Sequence, residues 1–137
     1  MRITATAAQL VVRFGGLHQL VTGTLFWTGN GLAWLPVHML VGLVLSLALE
    51  VLAALAAWAG VHPGRVVLAV LWGLAVPVLG LTQSQLLPGD LHWLVQALHL
   101  LVGLGAMAQA EALAARIKPA APAGTRPGTG AVREEVS

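Results

Sequence analysis

Cysteine is absent from this sequence, and charged residues are scarce. The lack of cysteine excludes disulfides, thiolate metal sites and cysteine nucleophiles. Charged side chains make up 9% of the chain, whereas a soluble domain normally carries about a quarter. Because a small domain exposes most of its side chains, a chain that is 58% hydrophobic lacks the polar surface that water requires. The composition therefore predicts an integral membrane protein with the lipid bilayer as its solvent.

The motifs of common soluble enzymes are also missing. The sequence contains no phosphate-binding glycine loop, no nucleophile elbow and no HExxH pair. The small formal net charge of +2 is better explained by membrane topology than by nucleic-acid binding, so we expect no nucleic-acid partner. No catalytic residue is predicted.

Four apolar stretches are long enough to cross a bilayer, which takes about 20 residues. They run over about 5–28, 32–59, 65–86 and 91–117, and each of the first three ends at a cluster of Gly with Asn, Pro or Asp, residues that stop helices. The chain is therefore expected to form an all-α, four-helix membrane bundle over residues 1–118. The start of the chain is interpreted as the beginning of the first span and not as a removed signal peptide. Residues 119–137 change to Pro, Ala, Gly, Thr and charge, which predicts a disordered tail.

The basic residues predict the orientation of the bundle. In a four-span threading every Lys and Arg falls on one side, and the loops on the opposite side carry only Asp90. Basic residues mark the cytoplasmic side of a membrane protein. We therefore expect a multi-pass protein of the inner (plasma) membrane with both termini cytoplasmic. The residues on that side are Arg2, Arg13, Arg65, Arg116, Lys118, Arg126 and Arg133.

The second and fourth spans contain an internal repeat. The chain reads HMLVGLVLSLALEVLAA from His38 and HLLVGLGAMAQAEALAA from His99. His38 and Glu50 in the second span therefore match His99 and Glu111 in the fourth. This favours two duplicated helical hairpins related by an axis along the membrane normal. Such an axis would bring the two histidines to a similar depth on facing helices.

Paired histidines on facing helices indicate a b-type haem. Haem iron accepts two axial imidazoles, and the core of a helix bundle provides them. His38 and His99 are the predicted ligands. Gly42 and Gly103, each one turn after its histidine, would leave space for the macrocycle.

A small four-span bundle with H-x-L-V-G helices resembles the membrane cytochromes b of bacteria. The resemblance covers the four spans, about residues 5–117, and implies electron transfer with a quinone or a redox protein as partner. It carries over to His38 and His99 as ligands, with His18 and His92 as a second pair.

Two other functions use the same residues. In the first, His18, His38 and His99 converge on copper or zinc, which neutral imidazoles bind well. In the second, the chain is an accessory subunit without a cofactor, within a larger membrane complex or a homo-oligomer, and its histidines bond between helices. Placing the carboxylates of Glu50 and Glu111 inside a membrane costs free energy. Glu111 is expected near Arg13.

Overall fold

A computed structural model describes residues 1–117, and the predicted tail at 119–137 lies outside these residues. The four predicted helices are present, and the described part of the chain contains no strand. A short 3₁₀ turn precedes the second helix and another follows the third. The helices are α1 Arg2–Trp27, α2 Leu35–Trp58, α3 Pro63–Thr82 and α4 His92–Ile117.

The chain reverses direction after α1 and after α2 through the same type of turn. Gly29 and Gly60 adopt φ angles of +74° and +76°, a left-handed conformation that glycine adopts without steric cost. The amide of the following residue then bonds a carbonyl of the last helical turn, from Asn30 to Leu25 at 2.9 Å and from Val61 to Ala56 at 3.0 Å. This is the Schellman type of helix end. It makes consecutive helices antiparallel neighbours.

His62, for which the sequence indicates no functional role, caps the start of α3. Its Nδ1 accepts a hydrogen bond of 3.1 Å from the amide of Gly64, and Pro63 occupies the first position of the helix. A side-chain acceptor and a proline at these two positions are both typical of helix starts. The role of His62 in the described structure is therefore to begin a helix.

The helices are arranged with α2 and α4 in the centre. These two helices pack against each other and against both α1 and α3, which lie on opposite flanks. We call one end of the bundle the packed end; it contains the start of α1, the turn between α2 and α3, and the end of α4. The other end, with the turns after α1 and α3, is the open end.

The hydrophobic core lies at the packed end. Among the described residues, every buried hydrophobic side chain except Val95 belongs to one cluster, and alanine is its commonest member. Small side chains let helix backbones approach closely, so the helices pack closely in this half of the bundle. The members of the cluster are Ala5, Ala8, Val12, Ala48, Leu49, Leu52, Ala53, Leu55, Ala56, Ala69, Ala110, Leu113, Ala114 and Ile117.

Three of the four helices are long and apolar enough to cross a membrane, namely those at Leu32–Trp58, Pro63–Gln85 and His92–Ile117. The first helix has the length, but Gln9, Arg13, His18 and Gln19 lower its hydropathy. Several of these polar residues bond to other helices, as described below. The large apolar side chains of α1 remain exposed along its outer face, with Phe14 at 71%.

Candidate site between the central helices

His38 lies near the start of α2 and is surrounded by one face of α1. The amide nitrogen of Gln19 donates a hydrogen bond of 2.9 Å to the backbone carbonyl of His38. The hydroxyl oxygen of Thr22 lies 2.6 Å from its Nδ1, and the ring of Phe26 meets its ring at 5.1 Å in an edge contact. A Cβ at Gly23 would lie 3.9 Å from its Cε1. These four positions recur at helical spacing on one face of α1, so α1 fixes both the backbone and the ring of His38.

His99 lies on α4 and packs against α3 at a glycine. A Cβ added at Gly80 would lie only 3.1 Å from Cε1 of His99, so the ring fits because Gly80 has no side chain. The Nδ1 atom of His99 is buried and has no hydrogen-bond partner among the described residues. A buried polar atom without a partner costs free energy. The polar environment of His99 is therefore less complete than that of His38.

The two imidazoles face one another across the centre of the bundle. Their ring centroids are 6.4 Å apart, and the ring planes are inclined by 42°. A transition-metal ion bound by two imidazoles would place the ring centres about 6 Å apart, because each metal–nitrogen bond is about 2 Å and each ring centre lies about 1 Å behind its nitrogen. The centroid separation of His38 and His99 is close to this distance.

A cavity of about 250 Å³ lies beside this pair, and its wall reaches from Trp27 and His92 near the open end to Val12 and Leu49 in the packed half. All four helices contribute to its wall, and both histidines line it. On the α4 side, a Cβ at Gly103 would meet no atom within 4 Å, so free space lies beside this glycine. On the α2 side, the amide of Gln19 occupies the space beside Gly42, where a Cβ would lie 2.7 Å from its nitrogen.

The residues around the cavity fit a haem in their donor set and in only part of the space that a macrocycle needs. The donor set fits, since two imidazoles on facing helices are the ligands that a b-type haem iron takes. The buried Nδ1 of His99 without a partner and the free space at Gly103 also fit a bound group. The space predicted beside Gly42 is instead taken by Gln19, which leaves Gly103 as the glycine that opens the cavity.

The other two histidines of the predicted second pair occupy different surroundings. The carbonyl of His18 accepts a hydrogen bond from Thr22, and its ring Nε2 is buried with no hydrogen-bond partner among the described residues. His92 lines the cavity near the open end, and its Nδ1 lies 3.2 Å from the carbonyl of Leu86. Residues 1–117 contain no group of three His, Cys, Asp or Glu side chains placed to hold a metal ion. The structure thus gives no support to a three-histidine copper or zinc site.

The two repeat-related glutamates differ in their partners. Glu111 receives two hydrogen bonds from the guanidinium of Arg13, at 2.5 and 2.7 Å, and one of 2.5 Å from Gln9. Glu111 is therefore paired with Arg13, as expected from the sequence. Glu50 packs against Gly73, and its Oε1 is buried without a hydrogen-bond partner in the described structure.

Sequence reasoning missed three residues of the site. Thr22, Phe26 and Gly80 all contact a predicted ligand, but none was identified in advance. The helical spacing from Gln19 through Thr22 and Gly23 to Phe26 was the available signal, because it defines one face of α1.

Comparison with models of protein families, with curated proteins and with solved structures finds no match to this chain.

Proposed function

We propose that the chain is an integral membrane protein in which all four helices cross the bilayer. The support is the distribution of apolar side chains, since large exposed hydrophobic residues cover the outer faces of all four helices. A soluble monomer rarely exposes such a continuous apolar surface. Helix α1 shares this surface, with Leu10, Phe14, Leu17 and Val21 exposed, and its polar Gln19 and Thr22 bond to α2.

The proposed orientation places the packed end at the cytoplasmic side. All seven Lys and Arg residues of the sequence belong to this side of the threading, as positive charge does in inner-membrane proteins. The indoles of Trp27, Trp34 and Trp93 are exposed towards the open end, at the level where tryptophan anchors a helix to the membrane surface. The two central histidines then lie in the outer half of the membrane.

Within this bundle we infer that His38 and His99 bind one b-type haem. The observation that carries this proposal is the proximity of the two rings on the central helices, with centroids 6.4 Å apart and planes inclined by 42°, beside a cavity. Haem bound in this way supplies a centre that accepts and releases one electron. Helices α1 and α3 hold the two imidazoles, and the apolar outer faces keep the site within lipid. The function would be electron transfer in the membrane, with a quinone or a redox protein as partner.

The arrangement also agrees with an origin by duplication of a helical hairpin. The repeated histidines lie on the two central helices, and each packs against the other helix of its own hairpin, His38 against α1 and His99 against α3. The repeated glutamates instead meet the flanking helix of the other hairpin, Glu111 at Arg13 and Glu50 at Gly73. A twofold relation between hairpins requires this exchange of partners to occur in both directions.

Substitution of each histidine tests the haem proposal. Protein would be expressed with ample haem, purified in detergent and assayed for bound haem per chain. His38→Ala and His99→Ala should each lose the haem, whereas the helix-capping His62→Ala should retain it. Retention of the native spectrum in both single variants would contradict the assignment.

The competing function is an accessory subunit without a cofactor. One observation favours it, namely that the ring of His38 already bonds to Thr22 of another helix, as a purely structural histidine would. In that case the wild-type protein would bind no haem, and His38→Ala would lower the stability of the bundle without any spectroscopic change.

A further inference from the structure

Thr22 occupies a buried position on α1, between two histidines of the chain. The residue is only 4% exposed, and its hydroxyl lies 2.9 Å from the carbonyl of His18 and 2.6 Å from Nδ1 of His38. We propose that Thr22 is a positioning residue that holds the imidazole of His38 in the tautomer with its proton on Nδ1. The Nε2 atom is then the nitrogen with the free lone pair. Binding of haem iron by this lone pair rests on the proposed function, whereas the tautomer of His38 does not.

The single proton of a hydroxyl group determines the direction of the hydrogen bond between Thr22 and His38. A threonine hydroxyl has one proton to donate and two lone pairs with which to accept. Inside a helix this proton commonly bonds to the carbonyl four residues earlier, which for Thr22 is the carbonyl of His18. The second contact, to Nδ1 of His38, then requires the imidazole to donate. A neutral imidazole that donates from Nδ1 keeps its lone pair on Nε2.

The surroundings of Thr22 strengthen this assignment. Because the hydroxyl is buried, water does not compete readily for the proton of His38. Phe26 contacts the same ring from the side, which limits rotation of the imidazole away from Thr22. Histidines that bind metals usually donate their other ring N–H to a fixed acceptor, which sets the tautomer and the ring orientation.

The effect is specific to one of the two histidines. Among the described residues, Nδ1 of His99 has no hydrogen-bond partner, so nothing comparable fixes its tautomer. Loss of the Thr22 hydroxyl should therefore change His38 and leave His99 as it is.

Nitrogen-15 NMR of the haem-free protein, with labelled histidine, tests the proposal directly. The wild type and Thr22→Ser, which keeps the hydroxyl, should show His38 protonated on Nδ1 above its titration range. Thr22→Val, which has the same shape without the hydroxyl, should shift the proton towards Nε2. A control is Thr6→Val, because Thr6 makes the same bond to a carbonyl four residues earlier but has no hydrogen bond to a histidine in the described structure. His62 is an internal reference, since its Nδ1 accepts a hydrogen bond from Gly64 and its signal should be the same in every folded variant.

The results separate this proposal from the haem assignment. Protonation of His38 on Nε2 in the wild type, or an Nδ1 proton that persists in Thr22→Val, overturns the positioning role. If haem binds, Thr22→Val should weaken haem affinity by roughly 10–100-fold, as loss of such partners does at metal sites, and Thr22→Ser should restore it. If no haem binds but the tautomer shifts as expected, the positioning role stands and only the proposed function fails.

Discussion

Arg13 and Glu111 join the first helix to the last. Their guanidinium and carboxylate form two hydrogen bonds of 2.5 and 2.7 Å across 98 positions of sequence, and both side chains are exposed, at 56% and 39%. Glu50, which matches Glu111 in the repeat, forms no such pair in the described part of the chain and packs against Gly73. One half of the repeat therefore has an interhelical ion pair that the other half lacks.

This difference predicts unequal effects of the same substitution. Glu111→Gln should lower the unfolding temperature in detergent slightly, because it removes the counter-charge of Arg13 from an ion pair that is largely exposed and such pairs contribute little. Glu50→Gln should leave the unfolding temperature unchanged or raise it, since no cation depends on that carboxylate. Exchange of the two charges, in Arg13→Glu with Glu111→Arg, should recover part of the loss. Equal destabilisation by the two glutamine variants would contradict this account.

A substitution at Gly103 should affect haem binding without affecting the stability of the fold. A side chain at this position would enter the cavity without meeting any atom within 4 Å, and replacing glycine inside a helix favours folding by up to about 1 kcal/mol. Gly103→Leu should therefore keep the helical content and thermal stability of the haem-free protein but abolish haem binding. Circular dichroism and haem titration of the same sample measure both effects. Normal haem binding by Gly103→Leu would show that the haem does not use this space.

Trp72 forms a contact between α3 and α4 that is independent of the proposed haem. Its indole nitrogen donates a hydrogen bond of 2.7 Å to the carbonyl of Val102, and its ring occupies the space that Gly105 leaves free. Trp72→Phe should lower the free energy of unfolding by about 0.5–1.5 kcal/mol, the usual net value of such a bond. The control is Trp58→Phe, because Trp58 is 78% exposed. If both variants unfold at the same denaturant concentration, the bond does not contribute.

The absence of cysteine makes the topology directly testable. Single cysteines at Asn30, in the turn after α1, and at His62, in the turn after α2, can be labelled with a membrane-impermeant maleimide without background. Asn30→Cys should react in intact spheroplasts, and His62→Cys only in inverted vesicles, because the basic packed end is expected to face the cytoplasm. Labelling of both positions from the same side would contradict the crossing of α2, and the reverse pattern would invert the orientation.

The helices and their turns could be predicted from the sequence because their signals are local. Apolar length and helix-stopping residues predict four helices, and Gly29 and Gly60 adopt the left-handed conformation that the turns need. The proximity of His38 and His99 could also be predicted from the sequence, because the repeat places them at matching positions on parallel helices.

The surroundings of the histidines could not be predicted in the same way. Contacts such as Thr22 with His38, or Gly80 with His99, depend on the rotation of α1 and α3 about their axes, and the similar apolar residues on several faces of these helices leave that rotation open. For the same reason the sequence wrongly predicts free space beside Gly42, because no local signal indicates that the side chain of Gln19 fills it. Side-chain packing between helices, and not helix formation, determines these details.

The most direct test of the central claim is the absorption spectrum of the detergent-purified wild-type protein, recorded oxidised and after reduction with dithionite. If His38 and His99 bind one haem, the reduced spectrum should show the sharp α-band of a low-spin b-type haem with two nitrogen ligands, at one haem per chain. A featureless spectrum from protein made with ample haem would contradict the proposal, and the two histidines would then be structural residues of an accessory subunit.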